Sequence, residues 1–393
     1  MFRCIVTVLG LALLAPVTAT AGSLDLGVAD TGISFGDSPR WNGIRVNLVD
    51  EDVDDVRGLN LTLWRPSTRV GGRIAGLGVG VYGPRADELA GVHAGLWTVH
   101  ANREFHGIGF GLAGVSSGPD GSNRRGSGAM RGLMIGGVGL ASGGDLTGVA
   151  VGGLGANVDS DLTGIAVGGL GMNVGRGVDG IAVGGLGMNL GDTARGVVVA
   201  GLGANVGDDL TGAAVAGLGF NVGGTARGLV VTGLGSNVGE SLTGGSVAVL
   251  GNAVGLDLNG VNVAGVGTGV GRDASGLVVT GVGYSVRRDF TGISAALVGG
   301  ATGGRLTGLH VAGVGIHARE TRAITVTVGG TRGEIMRGAT VGAYNRFDES
   351  MTGLAIGLVN ITDELHGVQL GLLNIVRDRD GWNRMLPILN VGR

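Results

Sequence analysis

Residues 148–163 read Gly-Val-Ala-Val-Gly-Gly-Leu-Gly-Ala-Asn-Val-Asp-Ser-Asp-Leu-Thr, and residues 164–179 read Gly-Ile-Ala-Val-Gly-Gly-Leu-Gly-Met-Asn-Val-Gly-Arg-Gly-Val-Asp. They are one sixteen-residue unit written twice. Its opening glycine recurs at every sixteenth residue from Gly132 to Gly308, with no insertion. A fixed period of this kind marks a repeat architecture, in which each unit buries its apolar face against its neighbours. Looser copies open upstream at Gly43, Gly58, Gly76, Gly91 and Gly107. Downstream copies open at Gly338, Gly353 and Gly367, spaced by fifteen and then fourteen residues. The expected organisation is a leader over 1–21 and degenerate repeats with a cap over 22–131, carrying a polar loop near 116–125. The regular array then spans 132–323, and degenerate repeats with a second cap span 324–393.

Within a unit, apolar and small residues alternate, first at Val149 and Val151 and then at Leu154, Ala156 and Val158. Alternation is the strand signature. The apolar parity switches at Gly152-Gly153, which predicts a bend, and Asp159-Ser160-Asp161 supplies a second corner. A helix is excluded, because each interior glycine costs it ~1 kcal/mol.

Composition agrees with a folded repeat. The chain holds 88 glycines in 393 residues, is 44% hydrophobic and 15% charged, and has only six prolines. Collagen needs a three-residue glycine period rich in proline. Disorder needs low hydrophobicity and high charge, and the mean hydropathy here is +0.38. A net charge of -3 with scattered arginines gives no basic stripe for nucleic acid.

Two all-β architectures fit a sixteen-residue unit. In a β-solenoid each unit is one coil of two short strands, and coils stack in parallel about 4.8 Å apart. Leu162, Val149, Val151, Leu154 and Val158 would then point inward. In a transmembrane antiparallel β-barrel each unit is one strand and a tight turn. The corners partly alternate over two units, as at Thr193-Ala194-Arg195 and Leu210-Thr211, which suits hairpins. Two features favour the solenoid. No aromatic residue occurs in 164–211, where a barrel needs interfacial girdles, and both faces of the unit are small or apolar.

Arg3, the apolar run Ile5–Val17 and the small residues Ala19-Thr20-Ala21 read as a signal peptide cleaved after Ala21. The sole cysteine, Cys4, falls within it, so the mature chain is expected to lack thiol chemistry.

Few residues suggest chemistry. Gly152-Gly153-Leu154-Gly155-Ala156-Asn157 resembles the start of a calcium-binding nonapeptide, but a neutral Asn replaces the carboxylate and the period is sixteen. Asn157, Asn173, Asn189, Asn205, Asn221 and Asn237 instead read as a ladder whose amides bond to one another or to the turn backbone. After Asn237 the row continues as Ala253, Gly269 and Ser285, which weakens a reading as a carbohydrate or ice surface. The acidic run Asp50–Asp55 reads as a solvated loop. His93, His100, His106, His310, His317 and His366 lack metal-ligand spacing, and His310 and His317 have opposite parity. The G-x-G-x-x-G matches precede no helix pattern. No catalytic, cofactor or metal residue is expected. Trp41, Trp64, Trp97 and Trp382 lie outside the regular array and are expected in the caps.

The segments Gly353–Asn360, Leu365–Asn374 and Leu386–Asn390 resemble bacterial surface repeat-containing proteins, in which G-[VL]-Q-[IL]-G-L-[IVL]-N units recur before a terminal L-P-x-x-N. The resemblance covers about the last forty residues. It implies export and association with the surface or outer membrane, with no catalytic residues to transfer. The expected function is a non-enzymatic envelope repeat protein, structural or adhesive, whose partners would be envelope components. The alternative is an outer-membrane barrel serving as channel or anchor.

Overall fold

The computed structural model describes residues 17–20, 22–66, 70–119 and 128–392. The expected leader up to residue 16, Ala21 of the expected cleavage site and most of the polar insertion (120–127) lie outside the described residues. The chain divides into two compact units, 1–201 and 202–393. Each is an all-β solenoid.

In the first unit, Ser23–Val28 and Thr31–Gly36 form an antiparallel hairpin, and Arg40–Asn47 then adds in parallel. Parallel stacking continues coil by coil. Leu146–Gly152 pairs with Leu162–Gly168, and that strand with Val178–Gly184, glycine on glycine throughout. The short strands Gly155–Val158, Gly171–Val174 and Gly187–Leu190 stack in the same way. This pairing excludes the antiparallel barrel, in which successive units would run in opposite directions. Both expected corners are present, at Gly153-Leu154 and at Asp159–Asp161.

The recurring glycine does not open the long strand; it is the third residue of it. Gly148 and Gly164 hold φ near +122°, and Gly180 holds +135°. A Cβ at Gly164 would sit 2.1 Å from the carbonyl oxygen of Gly148. Both the backbone angle and the coil spacing therefore demand glycine.

The inward set differs from the expected one. Leu162, Ala150, Gly152, Ala156, Val158 and Ser160 are buried, whereas Val149 is 37% exposed, Leu154 is 54% exposed and Val151 is half-buried. The parity does not switch across Gly152-Gly153: the buried residues are even-numbered on both sides of the bend, Ala150 and Gly152 before it and Ala156, Val158 and Ser160 after it, while Leu154 at the bend itself turns outward. The reason is space. A sixteen-residue coil encloses a narrow interior, so small residues line the long strand (Ala166, Ala182) where bulkier ones line the short strand (Met172, Met188). Val149, Val151 and Leu154 are left wholly or partly on the outside, while Leu162 and Val158 fill the interior beside the Asp159–Asp161 corner.

The second unit repeats this coil as far as Ala296, after which the two strands merge into longer ones, Gly299–Ala312, Gly315–Thr327, Gly330–Val341, Tyr344–Ile356 and Val359–Val376. Met385–Gly392 closes it antiparallel to the last of these. The aliphatic core continues through Met336, Phe347, Met351, Leu365 and Val376. Its interior is otherwise increasingly polar. Asn345 Nδ2 donates to Asn360 Oδ1 at 2.9 Å, and Asn360 Nδ2 to Asn374 Oδ1 at 2.8 Å, all three fully buried.

Two further expectations are corrected. Asp50, at the head of the acidic run, is fully buried and forms an ion pair with the equally buried Arg45, which also bonds Asp37 and Asn60. Of the four tryptophans only Trp41 is buried; Trp64, Trp97 and Trp382 stand out in solvent. An inward Arg45 needs a carboxylate with it, because an unpaired charge in the interior is far costlier than a paired one.

Candidate functional site

The six predicted asparagines all lie on the outer face of the short strands. In the first unit Asn157 donates to Asp159 at 2.7 Å, Asn173 donates to Asn157 at 2.9 Å, and Asn189 donates to Asn173 at 3.1 Å. In the second unit Asn221 donates to Asn205 at 2.6 Å and Asn237 to Asn221 at 2.8 Å. Within each run the inner amides, Asn173 and Asn221, both donate and accept along the stack, with one hydrogen and one lone pair used per coil.

The outward valines and leucines define a second surface. In the first unit an in-register aliphatic row runs from Ile33 through Ile44, Val149 and Ile165 to Val197 on the long strands. Leu154, Leu170 and Leu186 form a parallel row at the bend, each amide bonded to the bend one coil back. The other side of the coil carries the Asn row and the charged corner, where Arg176 bridges Asp145 and Asp161 at 3.2 Å each. Each coil is therefore apolar on one side and polar on the other.

In the second unit the Asn row gives way to small residues. Asn237 pairs with Ala253, then come Gly269, Ser285 and Ala301, and after them His317, Arg332 and Arg346. Stripping the side chains opens a trough of about 740 Å³. Val282, Val298 and Val314 form its ridge, and Gly283, Gly299, Gly315 and Gly330 its floor. Tyr344 follows this glycine row and ends the floor with a ring, over which Arg332 stacks at 5.1 Å. Arg346 is paired with Asp348 at 2.7 Å and Arg319 with Glu334 at 2.8 Å, whereas Arg332 has no carboxylate partner among the described residues.

Beneath the trough floor, Tyr284, Ser294 and His310 form a buried chain. Ser294 Oγ donates to the Tyr284 hydroxyl at 3.0 Å and lies 2.8 Å from His310 Nδ1, while His310 Nε2 lies 3.1 Å from the Thr307 carbonyl oxygen. Burial lowers the His310 pKa to about 4 and raises that of Tyr284 to about 12. Ser294 and His310 are closed off from solvent, so this pairing holds the core rather than presenting a nucleophile. Burial likewise lowers His93, in the first unit, to about 4. The opposite parities of His310 and His317 are as expected: one is buried, the other lines the trough.

The sequence reading missed the trough and the inner asparagines. Asn345, Asn360 and Asn374 keep the fifteen- and fourteen-residue spacing of Gly338, Gly353 and Gly367, and that was the available signal.

The comparisons name no relative: no family model, no curated protein and no solved structure matches this chain.

Proposed function

We propose that this is a non-enzymatic, exported bacterial envelope protein with a structural or adhesive role. The observation that carries the reading is the two-sided exterior. Aliphatic rows stand in register along one side of each coil, and a bonded polar row stands on the other. Contiguous exposed apolar surface of this extent is characteristic of a face that is covered in use. The interior is filled by aliphatic packing and by buried polar chains such as Asn345–Asn360–Asn374, so the chemistry on offer is that of faces. The apolar leader segment and the resemblance of the last forty residues to surface repeat-containing proteins support export. Among the described residues no helix is long and apolar enough to cross a membrane.

Fractionation of cells expressing the chain, followed by protease treatment of intact cells, tests this reading. Recovery in the envelope fraction, shorter by the leader and extractable without detergent in a β-rich state, is the expected result. Recovery of the unprocessed chain in the cytosol would overturn it.

A further inference from the structure

We infer that the trough between Val282 and Tyr344 binds a free long-chain carboxylate, its aliphatic tail lying along the glycine floor and its carboxylate on Arg332. The inference is independent of where the protein resides. A solenoid that repeats a polar row faithfully and then replaces it with Gly269, Ser285 and Ala301 has changed that face locally. The change exposes floor rather than adding contacts.

The floor has nothing to offer a polar ligand. The amides of Gly283, Gly299, Gly315 and Gly330 are spent on the carbonyls of Val266, Val282, Val298 and Val314, at 3.0–3.2 Å. What remains facing the trough is Cα hydrogens and valine methyls, which suits methylenes and not sugar hydroxyls. From Val282 to Tyr344 the trough spans four coil rises, ~19 Å at about 4.8 Å each, the reach of a long acyl chain. Its one charged side chain, Arg332, lies at one end beside His317 and is held by the Tyr344 ring rather than by an acid. A planar carboxylate fits a guanidinium in a bidentate way, which a point cation does not reproduce.

Titration calorimetry with octanoate, decanoate and dodecanoate, below their micelle concentrations, tests the inference. The expected result is one site per chain, with affinity rising about three- to fourfold per added methylene. Arg332→Gln should weaken dodecanoate at least tenfold, while Ala301→Leu, which refills an exposed outer position, should abolish binding. Both variants should keep the circular dichroism and melting temperature of the parent. Dodecyltrimethylammonium should not bind. Equal binding to parent and Ala301→Leu, equal binding of the cationic amphiphile, or binding of phosphatidylglycerol vesicles with none of free dodecanoate would each overturn it.

Discussion

At Gly164 a side chain would face two penalties: a positive φ of +122° and a carbonyl oxygen 2.1 Å from the Cβ. The left-handed backbone alone costs an L-residue roughly 1–2 kcal/mol, and the carbonyl belongs to a neighbouring coil that cannot retreat without breaking its own ladder. Gly164→Ala is therefore expected to lower the unfolding free energy by about 3 kcal/mol or more in urea titrations. Gly269→Ala is the contrasting case, because φ there is not positive and nothing lies within 4 Å of its Cβ. It should be neutral or stabilising by up to ~1 kcal/mol, through the unfolded state. The sequence announced the first glycine by its period but could not distinguish it from the second, since the distinction lies in a backbone angle. The buried histidines make a second residue-scale prediction. His93 and His310 hold a folded pKa of about 4 against an unfolded value of 6.5. Their neutral forms thus contribute stability that is complete above pH 6.5 and is lost as pH falls towards 4, at most about 3 kcal/mol each. The window between pH 6.5 and 5 lies above ordinary carboxylate titration, so a falling urea midpoint there reports the histidines. Replacing both with Gln should flatten that part of the profile; an unchanged slope would refute the assignment.

At the scale of the strand, the two asparagine ladders behave differently because one is wet and the other dry. Asn360 in the inner ladder bonds Asn345, Asn374 and the Leu370 carbonyl, all out of water. Asn360→Ala leaves buried partners unpaired and should cost ~2–4 kcal/mol. Asn173→Ala in the outer ladder exchanges amide partners for solvent and should stay within about 0.5 kcal/mol. Comparable losses in the two variants would mean that burial is not what separates them. The outer ladder was legible in the sequence because the same residue type recurs at one spacing. The inner one was hidden by its drifting period and by aliphatic neighbours that suggest an all-apolar core. Period, strand character and both corners could be read from residues 148–179, whereas parallel stacking was only favoured over hairpins, by the missing aromatic girdle and polar face. Which aliphatics point inward could not, since alternation fixes that two faces exist, not which of them encloses the interior. Coil diameter decided it, placing Ala150 inside and Val149 outside. The trough was likewise invisible, because it is built from the removal of side chains.

At the scale of the whole chain, the aliphatic side of the first unit sets the last expectation. The row from Ile33 to Val197 crosses ten coil rises, or ~48 Å, and the distance to the bend row is about five strand residues, ~16 Å. The footprint, on the order of 800 Å², is one partner's share of a standard stable interface. A second copy of the chain is the occupant this face fits. Branched side chains in register make a flat, rigid surface that loses little rotamer freedom on mating. A lipid surface would be helped by a basic flank, yet the flanking row reads Asn42, Arg57, Ala75, Ala90, His106, Arg131, Thr147, Thr163, Asp179 and Arg195, with three arginines spread over ten coils and an aspartate beside the last. In detergent-free buffer the chain without residues 1–21 should therefore show concentration-dependent association in sedimentation equilibrium at micromolar concentration. Ile165→Glu combined with Ile181→Arg places opposite charges one coil apart, where they can pair and keep the stack intact. That variant should weaken association at least tenfold, whereas Asn173→Glu with Asn189→Arg on the polar side should leave it unchanged. A parent chain that stays monomeric and floats with liposomes instead would assign the aliphatic face to lipid, and the second copy would have to be given up.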